Sequence, residues 1–321
     1  MNTLLKPEVQ VAGATQSFEK DMLQALSNKP RSIAPKYFYD EAGSRLFDDI
    51  CELDEYYPTR TETALLLERA NEIAQHMGPH ADLVEFGAGS MTKVRILLAA
   101  MQSPTRYLPI DISGDYLAIA ANQLRQQFPD LRVDLHVGDY SQNLALPASP
   151  AGTRQRVGFF PGSTIGNYTP AEAVDFFRMA AGVLRGGALL VGADLIKDPA
   201  VLHAAYSDAR GVTAEFNLNL LVRSNRELGT NFDLRQFAHS AFYNAPLQRI
   251  EMHLMSLCRQ SVTMNGQTFE FDEGETLHTE NSYKFTVEGL RGLARQAGFT
   301  AGPVWTDSQR KFSLHWLKAP G

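Results

Sequence analysis

Leu83-Val84-Glu85-Phe86-Gly87-Ala88-Gly89-Ser90 decides the fold. A short, mostly apolar run breaks at two glycines spaced G-x-G, and helical spacing resumes over 94–101. Glycines suit a tight strand-to-helix turn whose backbone a ligand must approach closely. Two glycines alone are weak evidence, because any tight turn of this kind can use them. The flanking segments carry the decision. Downstream, strand-like runs at 107–112, 132–137, 157–160 and 188–193 alternate with helical ones at 114–128 and 170–184. Strands separated by helices imply βαβ units and a parallel sheet covered on both faces. Upstream, 61–76 reads as a helix stopped by Gly78-Pro79, and 18–26 as another ended by Asn28-Lys29-Pro30.

The alternation stops near Asp198. Residues 199–284 mix helical segments with strand-like ones such as 249–257 and 267–271. A helix over 286–296 then leads to strand-like runs at 303–306 and 312–317, joined by the polar turn Asp307-Ser308-Gln309-Arg310. The expected fold is α/β: a Rossmann-like, doubly wound sheet ending in an antiparallel hairpin, with a second α+β lobe. The sheet domain is expected over 61–198 and 285–321, and the substrate-recognition lobe over 1–60 and 199–284.

A chain of 321 residues fits about two domains. Thirty basic against thirty-six acidic residues, net −6, argue against a phosphate-backbone binder. Cys51 and Cys258 are too few and too far apart for a disulfide framework or a zinc site. His76 and His80 have i,i+4 spacing, but Gly78-Pro79 breaks the helix between them, so no metal is expected. Residues 1–10 lack a signal-peptide pattern, and no apolar run approaches the roughly 18 residues of a membrane span. The expectation is a cytoplasmic monomer acting on a small molecule, with no nucleic acid or membrane partner.

Four features around the glycines define a cofactor. Asp111 ends the second strand, where a carboxylate can accept from both ribose hydroxyls. Gly138-Asp139-Tyr140 ends the third, offering a carboxylate and a ring for adenine. Leu184-Arg185-Gly186-Gly187-Ala188-Leu189-Leu190 and the terminal hairpin are typical of class I methyltransferases, which the chain resembles. A dinucleotide would need a third glycine, G-x-G-x-x-G, where this sequence has Thr92. Glu85, just before the glycines, suits a ligand bearing an ammonium group. S-adenosylmethionine (SAM) is the cofactor expected, leaving S-adenosylhomocysteine.

Beyond the fourth strand lies Phe160-Pro161-Gly162-Ser163-Thr164-Ile165-Gly166-Asn167-Tyr168. The side-chain carbonyl of Asn167 can hold an amine without fixing it as an ammonium. Its other reading, as a helix cap, is weakened because Thr169-Pro170 is the better helix start.

Here the sequence resembles the histidine-specific, SAM-dependent Nα-methyltransferases of ergothioneine biosynthesis, over nearly its whole length. The resemblance rests on Lys36-Tyr37-Phe38-Tyr39-Asp40, Glu55-Tyr56-Tyr57-Pro58-Thr59-Arg60, the turn at 85–90, Gly162 to Asn167, the run from Tyr206 to Asn217, Glu251-Met252, and the run from His278 to Phe285. It implies Tyr56, Glu280 and Ser282 against the substrate imidazole, with Asn281 between the last two. It implies Asn167 and Tyr206 at the amino acid's amine and carboxylate, and Tyr39, Phe47, Gly162 and Met252 as the wall. Asn167 and Tyr39 stand nearest the chemistry. For SAM it implies Gly87, Gly89, Lys93, Asp111, Asp139 and Tyr140. Tyr140 stands where phenylalanine is expected, and Ser163 where glycine is. The implied reaction is trimethylation of L-histidine through its mono- and dimethyl forms. If extended, Glu280 and Ser282 project from one face and can meet both ring nitrogens. The alternatives are a methyltransferase of another amine, such as an indole amino acid, which would not need Glu280, and a non-catalytic SAM-binding protein.

Overall fold

The computed structural model describes residues 7–140 and 144–321, with side chains from residue 17 onward. The stretch expected to carry no signal peptide, residues 1–10, falls partly on 1–6, outside the described residues. In chain order the helices are α1 (Pro7–Ser27), α2 (Glu41–Cys51), α3 (Tyr57–Met77), α4 (Thr92–Ala100), α5 (Gly114–Gln127), α6 (Pro170–Val183), α7 (Pro199–Tyr206), α8 (Val212–Leu228) and α9 (Val287–Gln296). The strands are β1 (Arg31–Ser32), β2 (Ala81–Phe86), β3 (Arg106–Asp111), β4 (His136–Val137), β5 (Gln155–Phe160), β6 (Ala188–Asp194), β7 (Phe237–Asn244), β8 (Arg249–Ser256), β9 (Gln260–Met264), β10 (Gln267–Phe271), β11 (Thr276–Tyr283), β12 (Thr300–Thr306) and β13 (Phe312–Lys318).

The chain divides into two compact units. One comprises 1–55, 202–244 and 250–281, the other 56–201, 245–249 and 282–321. The boundary falls before Tyr56, not after Arg60, because Tyr57 begins α3 and its hydroxyl donates to Asp194 Oδ2 at 2.6 Å. Ser282–Lys284 also joins the second unit, where the Lys284 ammonium lies 2.9 Å from Asp194 Oδ2.

The second unit is built on a seven-stranded sheet ordered β12-β13-β6-β5-β2-β3-β4. β2 through β6 run parallel, while β13 is antiparallel to both β6 and β12. This is the doubly wound, Rossmann-like sheet ending in the antiparallel hairpin that the sequence predicts. Every residue of β2 and of β6 is buried, as expected of strands covered on both faces. Leu65, Leu66, Val94, Leu97, Leu117 and Leu124 pack one face, and Phe176, Phe177, Leu290 and Ala294 the other. Strand order reverses between β2 and β5, so the loops after these two strands flank the crevice where such sheets bind ligands. The third strand is shorter than expected. Only His136–Val137 forms regular ladder, and Val133 makes an isolated bridge to Tyr107. It is the sheet's edge, with one neighbour, and Arg132 and Asp134 pair their side chains beside it.

The first unit holds a four-stranded sheet ordered β1-β11-β8-β7 and the β9–β10 hairpin. α8 runs unbroken between Gly211 and Gly229, both in the left-handed region that glycine tolerates. Asp208 caps its start, accepting from Val212 N at 2.9 Å and Thr213 N at 2.8 Å.

Candidate active site

At the end of β2 the backbone N–H groups of Gly87 and Ala88 both donate to Ile110 O, at 2.9 and 3.1 Å. Gly87 has φ 72°, and a Cβ there would lie 3.1 Å from the Tyr140 hydroxyl. Gly89 has φ 49° and nothing within 4 Å of its Cβ position. Both left-handed positions are strained for a side chain, with space tight at Gly87 and open at Gly89. Asp111, at the end of β3, accepts from Gly89 N at 3.0 Å and Ser113 N at 2.9 Å. Burial raises its pKa from the ordinary value, partly offset by these N–H donors. Tyr140 stands edge-on to Phe86 and Phe160, with centroids 6.1 and 5.8 Å away. Asp139 is near enough to Tyr168 that its charge, after burial itself, raises that phenol's pKa. Gly87, Gly89, Asp111 and Tyr140 thus form one cradle at the switch point. It fits a ligand with a ribose and a flat base.

Glu85 departs from expectation. Its carboxyl is 1% exposed and accepts the Tyr107 hydroxyl. Burial pushes its pKa up to about 8, against the pull of that hydrogen bond and of Lys93. Burial therefore favours its protonated form, which weakens it as a counter-charge for an ammonium.

Lys93, on α4, donates to Glu62 Oε2 at 2.5 Å. Glu62 is fully buried on α3 and also accepts Gly162 N, at 2.9 Å to Oε2 and 3.1 Å to Oε1. One carboxylate therefore ties Lys93 to the loop after β5. The sequence reading missed Glu62. Its signal was position, since it precedes the buried Leu65 and Leu66 by three and four residues on one helix stripe.

After Pro161 the loop following β5 has two consecutive left-handed residues, Gly162 (φ 77°) and Ser163 (φ 57°). Ser163 keeps this conformation while its Oγ accepts Asp194 N at 2.9 Å. Asn167 ends a short 3-10 turn, and the helix cap is Thr169, whose reciprocal capping box with Glu172 starts α6. Asn167 is therefore not needed as a cap. Gly166 passes so close to β11 that a Cβ would lie 2.8 Å from Tyr283 O. This brings the Asn167 loop against the backbone next to Ser282. Ser282 is buried, and its Oγ accepts from Lys284 Nζ at 2.7 Å. Tyr56, 8% exposed, is the residue before α3.

In the first unit Tyr39 and Phe47 meet edge-on at 5.7 Å. Phe216, from α8, adds a third ring, 5.6 Å from Tyr39 and 6.1 Å from Phe47. α2 reaches this position because Gly43 lies against Phe38 O, where a Cβ would come within 1.8 Å. Tyr206 is held through its backbone: His239 Nε2 donates to Tyr206 O at 2.9 Å. His239 Nδ1 in turn accepts from Asn217 Nδ2 at 2.9 Å, and Asn217 Oδ1 accepts from Thr279 Oγ1 at 2.8 Å. This relay joins Tyr206 to the residue beside Glu280, and burial lowers the His239 pKa, as suits a neutral ring. Asn217 and Phe216 lie in the run that carried the resemblance; His239 had no sequence signal. Met252 is 1% exposed on β8. Asn281 Oδ1 is buried without a hydrogen-bond partner.

Among the described residues, Glu251, His253 and His278 place one ligand atom each within 4.8 Å of one another. Hydrogen bonds already engage these donors. His253 meets Glu251 Oε2 and Thr276 Oγ1, each at 3.2 Å, and His278 Nε2 donates to Glu280 O at 3.0 Å. The two rings stack at 4.6 Å. His76 packs against Trp305 and Trp316. No helix among the described residues is long and apolar enough to cross a membrane.

Residues 18–319 match the family described as histidine-specific methyltransferase, SAM-dependent. The chain is 40% identical over 305 residues to the histidine N-alpha-methyltransferase of Mycobacterium tuberculosis, covering 93% of this chain and 94% of that protein. It is 40% identical over 308 residues to the protein of that name from Mycolicibacterium smegmatis, covering 94% of each. Ergothioneine biosynthesis protein 1 of Neurospora crassa is 28% identical over 90% of this chain, which spans 33% of that longer protein.

Proposed function

The chain belongs to the SAM-dependent, histidine-specific methyltransferases, and from that premise we propose that it trimethylates the α-amino group of L-histidine to Nα,Nα,Nα-trimethylhistidine, hercynine. The observation that carries this reading is the family match over nearly the whole chain. Gly87, Gly89, Lys93, Asp111, Asp139 and Tyr140 hold the cofactor, which when bound supplies a methyl group on positively charged sulfur. The chain's own task is to present a neutral amine. A peptide α-amino group has a pKa of about 8, so a proton must be lost near neutrality. Asn167 accepts from the amine through its side-chain carbonyl without adding a charge that would fix an ammonium. Tyr206 and Asn167 orient the amino acid, and Tyr39 closes on the amine. Glu280 accepts an imidazole N–H and Ser282 serves the other nitrogen, with Tyr56 and Asn281 beside them. Gly162, Phe47 and Met252 shape the wall. A trimethylammonium has no N–H to donate, so aromatic faces suit it, and the Tyr39–Phe47–Phe216 cluster supports three rounds. The same reading makes the chain a cytoplasmic monomer that uses no metal and engages neither nucleic acid nor membrane.

The test is purified protein with SAM and each of the twenty amino acids, read by mass spectrometry. A gain of three methyl groups on histidine alone is expected. Product on tryptophan and none on histidine would overturn the reading, as would binding of SAM without turnover.

A further inference from the structure

β11 lies between β1 and β8. On the β1 side the parallel ladder pairs Arg31 with Leu277 and Ser32 with His278, and Ile33 N donates to His278 O at 3.0 Å. In a parallel ladder the same strand donates again two residues on, so the next bond in register would run from the N–H of residue 35 to Glu280 O. Residue 35 is proline, which has no N–H, and it begins a 3-10 turn, Pro35–Phe38, where the ladder has ended. A side chain supplies the donor: His278 Nε2 donates to Glu280 O at 3.0 Å. A carbonyl only accepts, so Nε2 carries the proton of this bond.

His278 is itself fixed by stacking. Its ring lies on that of His253, with centroids 4.6 Å apart and planes 14° off parallel, and His253 lies on Phe242 at 5.4 Å and 14°. His253 is oriented at both nitrogens, by Glu251 Oε2 and Thr276 Oγ1, each at 3.2 Å. Three rings from β7, β8 and β11 thus set the plane of the His278 imidazole, and that plane directs its Nε2–H. Residues two apart on an extended strand share a face, so one face of β11 carries both this ring and the Glu280 side chain. All of these residues belong to the first unit. We infer that His278 is a positioning residue for substrate specificity: its ring stands in for the N–H that Pro35 lacks and fixes the backbone from which the Glu280 carboxylate meets the substrate's ring. This rests on the proposed role of Glu280 toward the imidazole.

The test is a set of His278 variants of the full chain, read by KM for histidine and by the SAM dissociation constant. Glutamine places an amide N–H near the position of Nε2, asparagine near that of Nδ1, and phenylalanine keeps a stacked ring without a donor. His278→Phe and His278→Asn should raise histidine KM about tenfold, and His278→Gln should stay within about threefold of the native value. SAM affinity should hold within about twofold in all three. Equal KM in His278→Gln and His278→Asn, or an unchanged KM in His278→Phe, would overturn the inference. Equal losses of SAM and histidine affinity would overturn it too, since they mark a folding defect. In the Glu280→Ala background, His278→Phe should change KM by less than about twofold, because its effect passes through the missing carboxylate. A further loss of about tenfold there would overturn the inference and leave the Glu280 assignment standing. An unchanged KM in Glu280→Ala alone would remove that assignment, and the inference with it.

Discussion

Glu280 and Glu85 show how differently two carboxyls in one chain behave. Glu280 is half-buried on β11 and is assigned a substrate N–H. Glu280→Ala should raise histidine KM by about a hundredfold while SAM affinity holds within about twofold, because an unpaired polar substrate group is discriminated strongly. Equal losses for both ligands, measured by titration calorimetry, would make Glu280 a folding residue. Glu85 is a stability matter. Its folded pKa of about 8 lies above its ordinary value of 4.5, so the native state keeps a proton that the unfolded chain releases. Its stabilising contribution is complete below about pH 4.5 and is lost as pH rises through about 8. Denaturant unfolding should show this protein weakening across that window by a few kcal/mol, and Glu85→Gln should flatten the decline. A parallel profile in the variant would mean that Glu85 is ionised in the native state. The position of Glu85 before the glycines is legible in the sequence; its raised pKa is not, because desolvation depends on neighbours such as Tyr107 that local sequence does not align.

At the scale of elements, the glycine turn and the strands on either side of it were legible because each is local. A parallel sheet buried on both faces writes itself as apolar runs, and β2 and β6 are buried end to end. The edge strand β4 was overdrawn, since an alternating run does not say how many neighbours will ladder with it. Glu62 carried only its place on the buried stripe as a signal: a glutamate in a helix rich in charge reads as solvated until the partner 100 residues away is known. Here α3 acts as a clamp, joining the helix after β2 to the loop after β5 through one carboxylate. Glu62→Ala would strand the Lys93 ammonium and the Gly162 N–H together. We expect it to cost about 2–4 kcal/mol of stability and to weaken SAM binding about tenfold. Glu62→Gln should recover part of the stability, because it still accepts from Gly162. Thermal melts with and without SAM check both, and a melting temperature unchanged by Glu62→Ala would refute the clamp.

For the molecule as a whole, the assignment of residues to units has a consequence for ligand order. Gly87, Gly89, Lys93, Asp111, Asp139 and Tyr140 all belong to the unit built on the large sheet. Tyr39, Phe47, Tyr206, Met252 and Glu280 all belong to the other. The domain boundaries in the sequence were blurred at 56–60 and 282–284, where Tyr57 and Lys284 are claimed by Asp194, a contact no local pattern announces. Ligands that hold only native structure lower the population of local openings in the segments they touch. S-adenosylhomocysteine alone should therefore slow amide exchange around 86–93, 110–114 and 137–140 and leave 36–48, 204–217 and 276–281 near their unliganded rates. Adding histidine should then slow exchange in those three segments, through the Tyr206–His239–Asn217–Thr279 relay as well as by direct contact. Hydrogen-exchange mass spectrometry resolves the two steps. Protection of both sets by the cofactor product alone would refute this division of ligand contacts.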